Sequence, residues 1–337
     1  MIQNALPPSQ LPLPLLITGV AGVAGYNAFR FFHKKCPGQV IAVRRSKNWP
    51  LSGDGIVPCN LEDREALSDL FDKYQFKSVL NCSGSCRLKS CELDPAMAQR
   101  VNVSSIESLL TVIRQTDVRL VHLSIDLVFS GTKAGKHLER DSTDPVTIYG
   151  KTMVTAEHRI MAARPDACIL RISLPMGISF NGHAGAIDWI QSRFKNRKPA
   201  TLYFDEIRTP AYTDCLNRMF CDVLSSNING VFHAGGRRRL SLFQIAQIVN
   251  RVGGYNPDHL FGCFRKQADP IPPRAGNVSL DSRHLSSTLG YEPLDPWPLY
   301  EEHIPTHDQW HRERTHSEAY SPELLAEVLY NNPAFAG

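Results

Sequence analysis

At 337 residues, 42% apolar and 21% charged, the chain has room for two ordinary domains or one large α/β unit with an inserted lobe, and its composition excludes long disorder or repeat architecture. A net charge of +4 is too small to demand nucleic acid, although it suits an anionic ligand such as a nucleotide or sugar diphosphate. Nine cysteines, odd in number and scattered from Cys36 to Cys263, read as reduced thiols and a cytoplasmic setting, and no stretch offers the ~20 uninterrupted apolar residues of a membrane span.

Residues 1–10 are polar and proline-containing and read as a loose leader. The apolar stretch 11–24 lacks a basic flank, is punctuated by Pro12 and Pro14, and runs into glycines, so it reads as a first strand, Leu15-Leu16-Ile17-Thr18, and not as a signal peptide. A helix over 26–35 with Phe29 and Phe32 inward precedes a second strand at Val40-Ile41-Ala42-Val43. Leu67, Leu70, Phe71 and Tyr74 have helical spacing within 61–74; Val79-Leu80-Asn81-Cys82 is a strand, 95–115 a helix and Leu120-Val121-His122-Leu123 a strand. A helix over 149–163 stops before Pro165, and Cys168-Ile169-Leu170-Arg171-Ile172 is the next strand.

This βαβ series predicts an α/β fold, a Rossmann doubly wound parallel sheet spanning 12–173 with a return segment at about 208–236. After 173 the alternation loosens, and 174–207 with 237–318 are expected to form a smaller C-terminal substrate-binding lobe over the carboxyl edge of the sheet. In the tail, 319–337, Ser321-Pro322 starts a short helix whose Leu324, Leu325, Val328 and Leu329 should pack at home.

The loop Thr18-Gly19-Val20-Ala21-Gly22-Val23-Ala24-Gly25 lies between a predicted strand and a predicted helix. Glycines permit the tight turn and the close approach of backbone to a pyrophosphate, and the helix N-terminus offers unpaired N–H groups. Gly19, Gly22, Val23, Ala24 and Gly25 are therefore candidate cofactor contacts. At the end of the second strand, where NAD-binding sites carry a carboxylate, stand Arg44 and Arg45, which suit the 2′-phosphate of NADP; NAD is not excluded.

Over residues 14–295 the chain resembles the extended short-chain dehydrogenase/reductase superfamily, and within it the dTDP-4-dehydrorhamnose reductase (RmlD-like) branch. Asn60-Leu61-Glu62-Asp63 matches the adenine-contacting turn, Asn81-Cys82-Ser83-Gly84 the segment along the nicotinamide, and Val101-Asn102-Val103, the run 123–131, Tyr149-Gly150-Lys151-Thr152, Arg208-Thr209-Pro210 and Gly230-Val231-Phe232-His233 follow in family order. The resemblance implies cofactor contacts at Asn60, Leu61, Cys82, Ser83, Gly84, Asn102 and Tyr149. It also extends to the regulatory beta subunit of methionine adenosyltransferase, so fold alone does not fix function.

In the superfamily a tyrosine protonates the substrate oxygen, a lysine four residues later lowers its pKa, and a Ser or Thr orients the carbonyl. The resemblance implies that Tyr149 is the proton donor, but Met153 occupies the lysine position and Ile125 the hydroxyl position. Lys151 points roughly 200° around the helix from Tyr149 and is a poor substitute. Asp126 is a candidate acid and Ser124, next to Ile125, a candidate substitute hydroxyl; adjacent strand residues point to opposite faces, a rule that a strand end can relax.

The remaining clusters read as structural. Cys82, Cys86 and Cys91 lack the paired short spacing of a zinc site, and His303, His307 and His311 are interrupted by Pro305, so no metal is expected and the 303–311 stretch reads as solvated. Arg237-Arg238-Arg239 reads as a surface loop before a helix starting near Ser241. The leading expectation is an NADP-preferring reductase of a keto group on a nucleotide-linked sugar; the alternatives are a catalytically silent NADP-binding regulatory or scaffold protein and a redox-neutral epimerase. The implied partner is an anionic nucleotide sugar, with neither nucleic acid nor membrane, and the site is compatible with a homodimer or a regulatory partner protein.

Overall fold

The computed structural model describes residues 11–45, 50–84, 87–183, 185–314 and 320–335; the leader 1–10 and Cys86 lie outside the described residues. Seven parallel strands form one sheet: β1 (Leu15–Thr18), β2 (Val40–Arg44), β3 (Ile56–Pro58), β4 (Ser78–Asn81), β5 (Arg119–Ile125), β6 (Cys168–Ile172) and β7 (Gly230–Ala234). Their spatial order, 7-6-5-4-1-2-3, reverses direction between β1 and β4, the crevice at which open α/β sheets hold ligands. The fold is thus the α/β doubly wound sheet expected from the alternation, with β7 adding a strand beside β6.

Strand alternation builds the two faces. Leu15 and Ile17 enter the apolar cluster beneath α1 (Val23–Lys35), whereas Leu16 and Val79 enter the opposite cluster with Leu67 and Phe71 of α2 (Arg64–Tyr74). Each such fully buried aliphatic or aromatic side chain contributes about 1.5–3 kcal/mol. Helix α1 begins at Val23, three residues before the expected start, because Gly22 is already its N-cap. Helix α2 begins at Arg64, later than expected, because the Asp63 carboxylate accepts from the Ala66 N–H at 3.1 Å and leaves Asn60 and Leu61 in the preceding turn.

Two short elements were not foreseen: strand β3, and helix α3 (Leu88–Leu93), followed at once by α4 (Pro95–Gln99). The expected helix over 95–115 is divided by a π turn at Arg100–Ser104 before α5 (Ser105–Val112). Helix α6 (Ile148–Ala163) starts on a Thr147 cap, whose hydroxyl oxygen accepts from the Gly150 N–H at 2.9 Å.

Beyond β6, the chain forms α7 (Ala186–Lys195), α8 (Thr213–Leu224), α9 (Leu242–Val252), α10 (Arg283–Leu289) and α11 (Pro322–Leu325). Three short ladders link them: 175–176 with 211–212, 207–208 with 240–241, and 200–203 with 260–263. Ser241 and Gln244 form a reciprocal capping box at the start of α9. The tail packs at home, with Leu325, Val328 and Leu329 buried in the same cluster as α9. Among the described residues, no helix is long and apolar enough to cross a membrane.

Candidate functional site

The carboxyl ends of β1, β2, β4 and β5 form a continuous edge. Gly19 leaves β1 with φ +68°, and a Cβ there would stand 2.2 Å from the Cys82 carbonyl oxygen; a Cβ on Gly25 would stand 2.4 Å from the Gly19 carbonyl oxygen. Both positions therefore require glycine, one for torsion and both for backbone contact. Gly22 is exposed, caps α1 without any side-chain hydrogen bond, and a Cβ there would meet only Gly19 O, at 3.4 Å. The first-turn amides of Val23, Ala24 and Gly25 are so placed that a bound anion can reach the helix N-terminus, and the residues fit a dinucleotide pyrophosphate.

Cys82 and Ser83 are placed beside this loop by Asn81. Its side-chain carbonyl accepts from the hydroxyls of Thr18 and of Ser83, the latter at 2.6 Å, and from the Ser83 N–H at 3.3 Å, while its amide donates to His122 Nδ1 at 2.8 Å. The ends of β1 and β4 are thereby tied to the middle of the neighbouring strand β5. Thr18 and His122 were not singled out as site residues from sequence, and Asn81 only as part of a family motif; their signal is a buried polar side chain in each of three otherwise apolar strands, at the end of β1 and β4 and in the middle of β5. Burial pushes His122 down to about 3 and keeps it neutral, while burial pushes the Cys82 thiol up, away from thiolate reactivity.

At the end of β2, Arg44 is partly buried and donates to the Arg45 carbonyl at 2.9 Å; exposed Arg45 pairs with Glu62 Oε1 at 2.5 Å. Both arginines therefore border the Asn60-Leu61-Glu62 turn. Asn102 lies in the π turn, and its amide donates to Thr152 Oγ1 at 2.9 Å, linking that turn to α6. π turns interrupt α-helices frequently at functional sites.

The three positions matched to reductase chemistry converge. Ile125, Tyr149 and Met153 share one apolar cluster with Leu127, Phe129 and Ala98; Tyr149 is 7% exposed and Met153 2%. A Cβ built on Gly84 would lie 3.9 Å from Met153 Sδ, so the thioether reaches the segment following β4. Lys151 is exposed, away from this cluster.

The two neighbours considered as substitutes are engaged elsewhere. The Ser124 hydroxyl donates to Glu157, whose carboxylate receives Arg171 Nε at 3.0 Å and Nη2 at 2.7 Å; Arg171 in turn donates to His233 Nε2 at 3.3 Å. Ser124 and Arg171 are register partners on β5 and β6, so both face α6. Asp126, fully buried, is held bidentately by Arg208 at 2.6 and 2.5 Å and by the Ser173 hydroxyl at 2.5 Å. The free acid expected at Asp126 is instead an ion-paired carboxylate joining β5 to the 207–208 strand. Arg208, noted only as a motif landmark in the sequence, is its partner.

Among the described residues no group of three or more His, Cys, Asp and Glu is arranged to hold a metal. The 303–311 stretch is only partly solvated. Trp310 and His311 are buried against α9, where Arg251 stands 4.2 Å from the Trp310 ring and the Gln247 amide bonds His311 Nδ1 at 3.2 Å. Of the three loop arginines, 237 and 239 are exposed and Arg238 pairs with Glu301 at 2.6 Å.

Comparison with known proteins follows the same geometry. The model of the RmlD substrate binding domain matches residues 13–304. A probable low-salt glycan biosynthesis reductase of Haloferax volcanii is 24% identical over 276 residues, 81% of this chain and 91% of that protein. Methionine adenosyltransferase 2 subunit beta of Rattus norvegicus is 25% identical over 302 residues, 85% of each chain. The crystal structure of dTDP-4-dehydrorhamnose reductase from Bacillus anthracis in complex with NADP is 16% identical, with a TM-score of 0.68 over 84% of this chain and 95% of that one. UDP-glucose 4-epimerase from Thermotoga maritima with UDP-glucose is 19% identical, with a TM-score of 0.71 over 83% and 93%. The two structural likenesses show the fold; the family match, running from the strand before the glycine loop to the end of the arginine loop's partner segment, decides membership. The chain therefore belongs to the RmlD substrate binding domain family, within the extended short-chain dehydrogenase/reductase type of NAD(P)-dependent reductases.

Proposed function

We propose that this chain binds NADP and an anionic nucleotide-linked ligand without turning them over, and that it serves as a ligand-holding regulatory or scaffold module. One observation carries this reading. Where the family supplies an ammonium and a hydroxyl, Met153 and Ile125 supply a thioether and an alkyl group, and the nearby polar substitutes Ser124 and Asp126 are committed to Glu157 and Arg208. A bound nicotinamide would supply hydride. Tyr149 would then have to deliver the proton beside a side chain that brings neither positive charge nor a hydrogen-bond donor.

In this proposal Gly19, Gly22, Val23, Ala24 and Gly25 cradle the pyrophosphate, Asn60 and Leu61 flank the adenine, and Arg44 and Arg45 favour the 2′-phosphate. Cys82, Ser83, Gly84, Asn102 and Tyr149 line the nicotinamide side. Segments 174–207 and 237–318 form the lobe that receives the second ligand, closing over the sheet built by 12–173 and the return through 208–236. The reductase alternative draws on Tyr149, which stays buried in the first turn of α6 beside the other two matched positions.

Fluorescence titration with NADPH and NADH, followed by a panel of 4-keto nucleotide sugars, separates the readings. The expected result is saturable NADPH binding with no oxidation above the buffer rate. Oxidation that disappears in Tyr149→Phe would establish the reductase instead. In the double variant Ile125→Thr with Met153→Lys, restored acid–base help is expected to raise turnover by about 100-fold or more. A well-folded double variant with no gain would mean that the barrier lies in the ligand lobe.

A further inference from the structure

The segment following β6 and the C-terminal tail meet at one buried carboxylate. Asp188, 5% exposed in α7, accepts at Oδ2 from the Gly185 N–H at 3.0 Å and the Ser179 hydroxyl at 2.5 Å, and at Oδ1 from the Tyr330 hydroxyl at 2.6 Å. Ser179 Oγ also accepts from the His183 N–H at 3.1 Å, so the turn beginning at 179 is closed on itself and on Asp188.

The other side of this segment lies on the glycine-loop helix. Asn27 Nδ2 donates to the Ile178 carbonyl at 2.7 Å and to the Val23 carbonyl at 2.8 Å, the rings of Tyr26 and Phe180 meet edge to face at 6.4 Å, and a Cβ on Gly185 would stand 3.2 Å from Val23 Cγ2. Val23 is the first residue of α1, directly after the exposed N-cap Gly22. Whatever fixes 178–185 also fixes the wall beside that helix N-terminus.

Tyr330 is itself held firmly from both sides. The Val328 carbonyl accepts from Tyr212 OH at 2.7 Å, the Leu329 carbonyl from Trp297 Nε1 at 2.9 Å, the Asn332 N–H donates to Asp214 Oδ2 at 2.8 Å, and the Arg218 guanidinium stands 3.5 Å from the Phe335 ring centroid. Burial and the Asp188 carboxylate both push the Tyr330 phenol up, so it stays a donor throughout the working pH range. The family match stops at residue 304, so this anchored tail lies outside the matched region.

We propose that Tyr330 and Asp188 form a latch by which the C-terminal tail holds segment 178–185 against the N-terminus of α1, making Tyr330 a positioning residue for the dinucleotide site. The inference rests on the dinucleotide reading above. Loss of the phenol hydroxyl leaves Asp188 Oδ1 buried with one donor fewer, an imbalance relieved by local opening of the segment and not by loss of the core. A looser wall binds the dinucleotide less well, because the ordering cost is then met at binding.

The test compares wild type, Tyr330→Phe and Ser179→Ala, the last cutting the latch from the segment's own side. Amide hydrogen exchange is followed in the ligand-free full chain, and NADPH affinity by fluorescence. Both variants are expected to exchange about 5–10-fold faster over 178–188 with α2 and α5 unchanged, and to bind NADPH about 3–10-fold more weakly. Unchanged exchange over 178–188 in Tyr330→Phe would overturn the latch. Faster exchange with unchanged NADPH affinity would overturn the positioning role. A wild type that binds no dinucleotide overturns the reading on which the positioning role rests, while the exchange comparison still decides whether the latch exists.

Discussion

The two halves of the ligand edge are made of different material. On the β1 side the cradle is backbone: Gly19 passes under the Cys82 carbonyl, Gly25 under the Gly19 carbonyl, and α1 starts on a glycine without a side-chain cap. On the β5 side the positions matched to reductase chemistry, Ile125, Tyr149 and Met153, are side chains packed in one apolar cluster. A backbone cradle is locked in by packing, since Gly19 and Gly25 fail sterically before they fail functionally. A catalytic side chain carries no such protection: isoleucine and methionine fill the same apolar cluster that a threonine and a lysine would have to interrupt. The comparison teaches that packing protects a backbone cradle where it does not protect a catalytic side chain.

The hardest blow to the first half is Gly19→Ala. The φ of +68° and the 2.2 Å overlap with a backbone oxygen each cost about 1–3 kcal/mol, because neither can be relieved by turning a side chain. A drop of up to about 6 kcal/mol in urea unfolding is expected, with loss of NADPH binding. A variant that keeps both would break the contrast between a packing-locked cradle and a replaceable chemical corner.

Next in size is Arg208→Leu on the β5 side. It leaves the Asp126 carboxylate in the interior with Ser173 as its one side-chain partner among the described residues, and the expected loss is about 3–5 kcal/mol. The double variant Asp126→Leu with Arg208→Leu removes both charges and should recover most of that stability. If the single and double variants are equally unstable, the pair is not acting as a charge-compensated strut and Asp126 regains standing as a functional acid.

Sequence periodicity located the main strands because each carries a continuous apolar run, and the glycine loop because strand, loop and helix occur together. It missed β3, three residues with no alternation of their own, and it ran α4 and α5 together because a π turn leaves helical spacing of apolar residues nearly intact. The convergence of Ile125 with Tyr149 and Met153 was legible through family order. The commitment of Ser124 to Glu157 and of Asp126 to Arg208 was not: those partners are 33 and 82 residues away in the chain, and pairing at such separation is decided by sheet register and by the return of the lobe. The burial of Trp310 and His311 was hidden for the same reason, since Arg251 and Gln247 approach from a helix about 60 residues earlier.

Acid titration probes this edge through two of its buried neutral histidines, His122 and His233. Burial pushes His122, under the Asn81 hub, down to about 3; burial and then the Arg171 guanidinium push His233 to about 3. In the unfolded chain a histidine takes up a proton near pH 6.5, so between about 6.5 and 3 the unfolded state binds more protons than the folded one. Stability is therefore full above 6.5 and is lost as the pH falls through this window, at up to about 1.4 kcal/mol per pH unit for each histidine. His233→Gln should make the slope between pH 6 and pH 4 shallower by one such contribution. An unchanged slope would mean that His233 is already protonated in the folded protein.

The smallest effect concerns which dinucleotide the backbone cradle prefers, the one property of that half that depends on side chains. Arg45 is exposed and paired with Glu62, and Arg44 is partly buried at the end of β2, so a 2′-phosphate reaching them must compete with Glu62 and with water. A charge-assisted hydrogen bond contributes about 1.5–3 kcal/mol when buried and less at a wet rim, so Arg44→Ala with Arg45→Ala is expected to weaken NADPH by about tenfold. NADH lacks the phosphate and should bind as before. Raising the salt concentration in wild type should narrow the difference between the two dinucleotides, since screening acts on the phosphate contact and not on the glycine cradle. An equal loss for NADPH and NADH in the double variant would show that the arginines support the adenine turn itself, extending the dependence on side chains into the half of the edge that the glycines otherwise define.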